Sequence, residues 1–361
     1  MKLLFDCRYV RTDRHDGISR YSAELVTALA KLHPVTMLIS DGRQLRLLPD
    51  LPWEMIPAPT SPGEPFVARH VNRLKPDVVV SPMQTMGSLG RKYGLVLTIH
   101  DLIYYENRTP PAQFAWPIRL LWRAYHLSFA PQRMLLRGAD QVAVISNTTA
   151  KLLTKHKLTT KPMPLVPNAP DPNFIAAART TPPSEHSLVY MGSFMPYKNV
   201  ETLAKAMQHL PGWTLHLCSR IRPEQLAALE ALAPSGAIVA HQGVSDEEYR
   251  ELLAGATALA TASRNEGFGL PLVEAMAAGT PVVCSDIPIF REVAEDAALF
   301  ADPNSPRAFA EAALTLTDTD TFRQHSLRGT ERAAAYSWDH SAKRLLAAAQ
   351  EVAATRAAAR K

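Results

Sequence analysis

The sequence predicts an α/β protein made of two Rossmann-like parallel-sheet domains, and three observations carry that prediction. The chain has 361 residues, and at about 150 residues per hydrophobic core that length implies two domains. Short apolar runs rich in Val, Ile and Leu alternate with amphipathic runs along most of it, the pattern of strands joined by crossover helices. A Pro- and Asn-rich passage, "KPMPLVPNAPDPNF" and then "RTTPPSEHS", interrupts the alternation, which restarts after it.

In chain order, "KLLFDCRYV" reads as a short strand. The stretch "DGISRYSAELVTALAKL" follows as a helix, with Ile18, Tyr21, Leu25, Ala28, Leu29 and Leu32 at helical spacing behind a glycine turn at Gly17. Further strands fit "VTMLIS", "DVVVSP", "LVLTIHD" and "QVAVISN", with "PFVARHVNRL" among the helical stretches between them. In the second half "LVYMGSF", "TLHLCS", "IVAHQG", "ALATAS" and "PVVCSD" read as strands, and "RPEQLAALEAL", "DEEYRELLAGA" and "LPLVEAMAAG" as helices. The expected boundaries are 1–170 for an N-terminal domain, 171–187 for a linker and 188–335 for a C-terminal domain. The Ala-rich end, 336–361, is expected to be a helix packed back on the N-terminal domain, with a frayed basic tail.

Composition excludes several classes. No run approaches the roughly 20 apolar residues of a membrane span, and charge breaks "MKLLFDCRYVRTD" too early for a signal peptide. A cytoplasmic location is therefore expected. Cys7, Cys218 and Cys284 are odd in number and far apart, which suits reduced thiols rather than a disulfide frame or a metal cluster. The net charge of +5 is uneven: residues 1–165 hold 22 Lys and Arg against 12 Asp and Glu, whereas the remainder holds 17 against 22. A basic first half points to an anionic contact, or else is simply a soluble surface. Nucleic acid is not expected, since no recognised nucleic-acid module appears and the second half is acidic.

The stretch "SRNEGFGLPLVEAMAAGTPVVCSD" carries the chemistry. Pro271 suits the first turn of a helix, Leu272, Ala275 and Met276 give it an apolar face, and Gly279 with Pro281 ends it. Gly267, Phe268, Gly269 and Leu270 thus lie ahead of a helix N-terminus, where backbone donors and the helix dipole favour an anion. Glu266 and Glu274 beside such a site would be repelled by a phosphate unless each faces hydroxyl groups. A diphosphate flanked by two sugars satisfies both demands; two ordinary surface glutamates are the alternative reading.

On these residues the chain resembles glycosyltransferase family 4, retaining enzymes of the GT-B fold, and bacterial mannosyltransferases of that family in particular. "GISRY", "TIHDLIYYE", "VPNAPDPNF", "YMGSFMPYKN" and "YSWDHSAKRLL" support it in the right order. The resemblance implies two domains facing each other across a cleft, with Glu266 on the donor sugar, Glu274 on the ribose, and the amides around Phe268 to Leu270 on the sugar or diphosphate. It implies that Lys198 meets the diphosphate, that His100 meets the sugar or its developing charge, and that Gly17 admits the diphosphate from the N-terminal domain. Ser193, Gly243 and Val244 complete the implied donor set. Two departures are evident: Ser193 stands where many relatives carry Arg, with Arg264 or Arg220 as candidate substitutes, and Ser19 replaces a frequent glycine.

The implied reaction is metal-independent transfer of a hexose, first choice mannose from GDP-mannose and then a UDP-hexose, with no cofactor. The spacing of Asp318 and Asp320 in "TDTDT" imitates a metal-binding pair, but caps at a helix boundary are the expected role. The acceptor is expected to be a glycan, a glycolipid or a lipid-linked sugar. In "RTPPAQFAWPIRLLWRAYHLSFAPQRMLLRG", Trp116, Trp122, Tyr125 and Phe129 mix with Arg119, Arg123, Arg133 and Arg137; an anionic membrane surface at the inner face of the cell is one expected contact, inward packing of the aromatics the other. A nucleotide-sugar epimerase and a non-catalytic nucleotide-sugar binder remain the alternatives.

Overall fold

The computed structural model describes residues 1–110 and 116–359. Its chain divides into two compact units, one of Met1–Asn168 with the chain from Ser337 onward, the other of Ala169–Tyr336.

The first unit runs β1 (Leu3–Asp6), α1 (Gly17–Ala30), β2 (Val35–Ile39), β3 (Trp53–Met55), α2 (Ala68–Arg73), β4 (Val78–Ser81), β5 (Gly94–Ile99), α3 (Ile103–Glu106), α4 (Trp116–Tyr125), α5 (Ala130–Arg137), β6 (Gln141–Val144) and α6 (Asn147–Lys155). Its sheet has the order β3-β2-β1-β4-β5-β6, with every pairing parallel. Strands β1, β4, β5 and β6 are buried along their whole length, which is why they read as unbroken apolar runs rather than as alternation. Edge strand β3 is exposed throughout and carries no such signal.

The second unit runs β7 (Ser187–Tyr190), α7 (Val200–Ala206), β8 (Thr214–Leu217), α8 (Pro223–Glu230), β9 (Ile238–Ala240), α9 (Asp246–Gly255), β10 (Ala258–Thr261), α10 (Leu270–Ala277), β11 (Val282–Ser285), α11 (Pro288–Ala294), β12 (Ala298–Ala301), α12 (Pro306–Thr315) and α13 (Thr319–Ala333). The sheet order is β12-β11-β10-β7-β8-β9, again all parallel. Residues 171–187, the expected linker, lie against this unit. Phe174 packs on Tyr249, Ala176 N–H donates to the Ala277 carbonyl at 2.9 Å, and the Arg179 guanidinium sits over the Phe322 ring.

The last helix, α14 (Trp338–Ala358), belongs to the first unit, where it packs on α1, β4, β5 and β6. Gly94 makes that seat: a Cβ there would stand 2.4 Å from Val352 Cγ1. Trp338 meets Tyr21 edge-on, and the Ser341 hydroxyl donates to the Pro167 carbonyl at 2.8 Å. Arg360 and Lys361 of the expected basic tail lie outside the described residues. All three cysteines are buried and unpaired, and burial pushes each thiol up, Cys218 to about 12. None is therefore a ready nucleophile.

Candidate active site

In the second unit the chain steps outward from β7 through β8 to β9, then returns to the other side of β7 as β10. Ligands of open parallel sheets bind outside the carboxyl ends of the strands at such a reversal. The loops leaving β7 and β10 are fastened together there. Asn199, at φ +55° between a short turn and α7, donates its side-chain amide to the carbonyls of Ala262 at 3.0 Å and Pro303 at 2.6 Å, while Arg264 N–H donates to the Tyr197 carbonyl at 2.8 Å. These bonds bring Lys198 Nζ to 2.6 Å from Glu266 Oε1, with side chains only 17% and 14% exposed. Lys198 is thus not a solvated loop lysine. Its ammonium has three N–H donors, of which this pairing uses one.

The residues after Glu266 form the approach to α10. Gly269 is its N-cap at φ +96°, and no side chain caps the helix there. A Cβ at Gly269 would stand 2.7 Å from Phe290 Cε1, so glycine is required by both conformation and space. Phe268 is buried edge-on against Tyr336, 5.3 Å between ring centroids. Behind the turn, Glu274 is only 6% exposed on a helix whose neighbours Leu272, Val273, Ala275 and Met276 are buried. Gly279, at φ +70°, provides the stop.

The other residues expected to meet the donor in this unit lie on neighbouring loops at the same sheet edge. Ser193 is exposed, and its carbonyl accepts from the Tyr190 hydroxyl at 2.6 Å. Gly192 N–H reaches the Ser219 hydroxyl at 3.2 Å, which links the loops after β7 and β8. Gly243, at φ +100°, leaves Val244 just ahead of α9, and a Cβ on it would stand 3.1 Å from Arg220 Cγ. Arg220 therefore lies over the Gly243 backbone and next to Ser219. Arg264 instead turns its guanidinium to Asn304 Oδ1. Of the two substitutes for the arginine expected at Ser193, Arg220 stands on the loop that holds Gly192. Nothing in the sequence distinguished them, because the link runs through Ser219.

The first unit reverses between β1 and β4, and its loops are also joined. The Tyr9 hydroxyl bonds Thr85 Oγ1, and the buried Arg8 guanidinium pairs with Asp6 and Glu64. Gly17 opens α1, and a Cβ there would meet nothing within 4 Å, so what the glycine provides is room rather than backbone freedom. The Ser19 N–H donates to Asp16 Oδ1 at 2.9 Å and its hydroxyl accepts from Arg11 N–H at 3.0 Å, so the Asp16 cap, rather than the serine side chain, occupies that amide. His100 follows β5. Its Nε2–H donates to the Pro82 carbonyl at 2.7 Å and its ring stands edge-on to Tyr21. Burial pushes its pKa down to about 4, so the ring is neutral at ordinary pH and presents Nδ1 as an acceptor.

Contacts also place the residues of "TDTDT" and of the aromatic, arginine-rich segment. Asp318 is the N-cap of α13, accepting from Thr321 N–H at 2.9 Å, and Asp320 pairs with Arg323. Along α4 and after it, Trp122, Tyr125 and Phe129 turn toward Tyr104, Gln132 and Tyr105. Trp116, Leu121 and Leu127 are instead 77%, 73% and 66% exposed, so the apolar surface is largely aliphatic. Residues 111–115 of that segment lie outside the described residues. No helix among the described residues is long and apolar enough to cross a membrane.

Residues 15–174 match the family model "Glycosyltransferase Family 4" and residues 173–330 match "Glycosyl transferases group 1". An O-antigen chain mannosyltransferase B from Escherichia coli is 28% identical over 258 residues, 68% of this chain and 67% of its own. Sucrose-phosphate synthase from Thermosynechococcus elongatus superimposes with a TM-score of 0.77 at 19% identity, over 98% of this chain and 99% of that one. HepE from Anabaena, solved in complex with UDP and glucose, does so at 0.73 and 17% identity, over 97% and 100%. At these identities the two structures speak to the fold alone.

Proposed function

Given that the chain belongs to glycosyltransferase family 4 and is a glycosyltransferase, we propose that it transfers a hexose with retention from a nucleotide sugar to a glycan, glycolipid or lipid-linked acceptor. Mannose from GDP-mannose is the first choice, supported by the mannosyltransferase relative, and a UDP-hexose the second, supported by the UDP complex of a structural neighbour. The observation that carries the proposal is the Lys198–Glu266 pair beside the uncapped N-terminus of α10.

In this reading the diphosphate lies against the Gly267–Leu270 backbone, with Lys198 and Arg220 supplying cations. Glu266 accepts from sugar hydroxyls and Glu274 from the ribose. The bond from the anomeric carbon to the diphosphate oxygen breaks, and one to the acceptor oxygen forms on the same face. The acceptor's proton passes to the leaving phosphate. As that phosphate gains charge, the Lys198 ammonium binds it more tightly, and this difference lowers the barrier. Neutral His100 offers Nδ1 to a sugar hydroxyl. No metal ion is required by these roles.

Thermal-shift screening against GDP, UDP and their sugars, followed by product detection with membrane extract, tests the reading. Transfer should persist in excess chelator; activity lost in chelator and restored by magnesium or manganese refutes the metal-independent part. Donor converted without acceptor would make the protein an epimerase, and binding without turnover a carrier.

The exposed residues of α4 and Leu127 are proposed to rest on an anionic membrane at the inner face of the cell, with Arg119 and Arg123 toward the headgroups. Vesicles containing phosphatidylglycerol should co-sediment with the protein at low salt. Leu120→Glu with Leu121→Glu should cut the bound fraction at least fivefold; equal sedimentation of this variant sinks the membrane contact.

A further inference from the structure

Asp6, Arg8 and Tyr9 of the opening stretch "FDCRYV" converge on one loop. The buried Arg8 guanidinium commits every N–H donor it has: Nε and Nη2 fork onto Asp6 at 2.8 and 3.0 Å, Nη1 and Nη2 fork onto Glu64 at 2.7 and 2.9 Å, and Nη1 also reaches the Pro57 carbonyl at 2.9 Å. Each carboxylate then passes the hold on. Asp6 Oδ2 accepts from the Ser81 hydroxyl at 3.1 Å, and Glu64 Oε1 accepts from Gly87 N–H at 3.2 Å. Between those points the Tyr9 hydroxyl bonds Thr85 Oγ1. The chain from Ser81 at the end of β4 through Gly87 is thus fastened at both ends and in the middle. A Cβ on Gly87 would stand 1.8 Å from the Glu64 carbonyl oxygen, so the far end fits only as glycine. Gln44 stiffens the holder itself, donating to the Arg8 and Val10 carbonyls at 3.0 and 2.7 Å.

Stability does not account for this cluster. Two carboxylates share one guanidinium out of contact with solvent, and burial pushes the Glu64 carboxyl above its ordinary range in spite of that guanidinium. Buried ionic groups of this kind can often be replaced by apolar side chains with no loss of stability. What the cluster supplies is one fixed geometry for the loop. Within that loop the Pro82 carbonyl receives His100 Nε2 at 2.7 Å. A carbonyl can only accept, so the bond puts the ring proton on Nε2 and leaves Nδ1 bare. His100 has other supports: the Thr149 hydroxyl donates to its carbonyl at 3.1 Å, and Tyr21 stands edge-on to its ring. Neither of these is a hydrogen bond to a ring nitrogen, so neither selects a tautomer. The Pro82 carbonyl does.

We propose that Asp6, Arg8 and Tyr9 are positioning residues for His100: by pinning the loop after β4 they hold the Pro82 carbonyl on Nε2 and keep Nδ1 the open acceptor. The proposal rests on the transferase reading above for what Nδ1 then meets, a sugar hydroxyl. The pinning itself is a property of the first unit alone. It gives "FDCRYV" a part in the reaction that runs through the imidazole rather than through contact with a substrate.

Tyr9→Phe with Ser81→Ala removes two of the fasteners and leaves both ion pairs in place. By NMR of isotope-labelled histidine, the wild-type His100 ring should be a single tautomer protonated on Nε2, and the paired variant a mixture of two. In transfer assays kcat should fall about tenfold while GDP affinity stays within about twofold. On a His100→Gln background the same pair should cost less than about twofold more, because its effect passes through the ring. A single Nε2–H tautomer in the folded paired variant overturns the proposal. So does an undiminished tenfold loss on the His100→Gln background, which would make the cluster a general staple. Should the paired variant not fold, Tyr9→Phe alone, with the ion cluster and the Ser81 bond intact, is judged by the same two readouts. Binding of neither GDP nor UDP to the wild type would instead bring down the transferase reading, and the tautomer measurement would still decide the pinning.

Discussion

Lys198→Ala should lower kcat for transfer by about 10²–10³-fold, the loss seen when a single group stabilising transition-state charge is removed. The substitution also strands the Glu266 carboxylate, whose partner at 2.6 Å is gone. Breaking a largely buried pair is costly in itself, so one variant does not separate catalysis from architecture. Lys198→Ala combined with Glu266→Gln removes the stranded charge. If Lys198 acts on the leaving diphosphate, the double variant melts close to the wild type and is far slower than Glu266→Gln alone, which keeps the lysine. A double variant as fast as Glu266→Gln alone would make the lysine a structural counter-ion and nothing more.

Gly269→Ala should destabilise the protein by about 2–4 kcal/mol, combining a strained backbone with an overpacked contact. The strain follows from φ +96°, the contact from Phe290 Cε1 at 2.7 Å from the new methyl. A denaturation midpoint at constant m-value measures it. Gly17→Ala is the natural comparison, because its methyl meets nothing and the residue sits in ordinary helical geometry. It should leave stability within about 0.5 kcal/mol of the wild type, or raise it slightly. If Gly17 leaves room for the diphosphate, the same variant should raise the donor KM severalfold. A destabilised Gly17→Ala, or a neutral Gly269→Ala, contradicts these assignments.

Much of the fold could be read from residues because buried parallel strands announce themselves: "DVVVSP" and "PVVCSD" have few other uses. Strand β3 could not, since "WEM" is short and fully exposed, and "ALFA" of β12 sits in alanine-rich sequence where strand and helix look alike. The α10 turn was legible for a local reason. Its glycine, proline and stop signal all act within a dozen residues. Long-range features left no such trace. The bond between Asn199 and Ala262, which brings Lys198 to Glu266, spans 63 residues, and the link from Gly192 to Ser219 that singles out Arg220 spans 27. Gln132 was not legible because a lone glutamine in an amphipathic helix is usually solvated, whereas here it is 2% exposed and accepts from the Tyr125 hydroxyl.

The return of α14 to the first unit has a consequence for biosynthesis. Residues 169–336 are contiguous and can condense as soon as they leave the ribosome, whereas the sheet begun by Leu3 keeps a naked flank around Gly94 until α14 emerges. The part of the chain made first is thus the last to be completed, and a ribosome stalled near Tyr336 would display an apolar surface fit for chaperones rather than a half-finished enzyme.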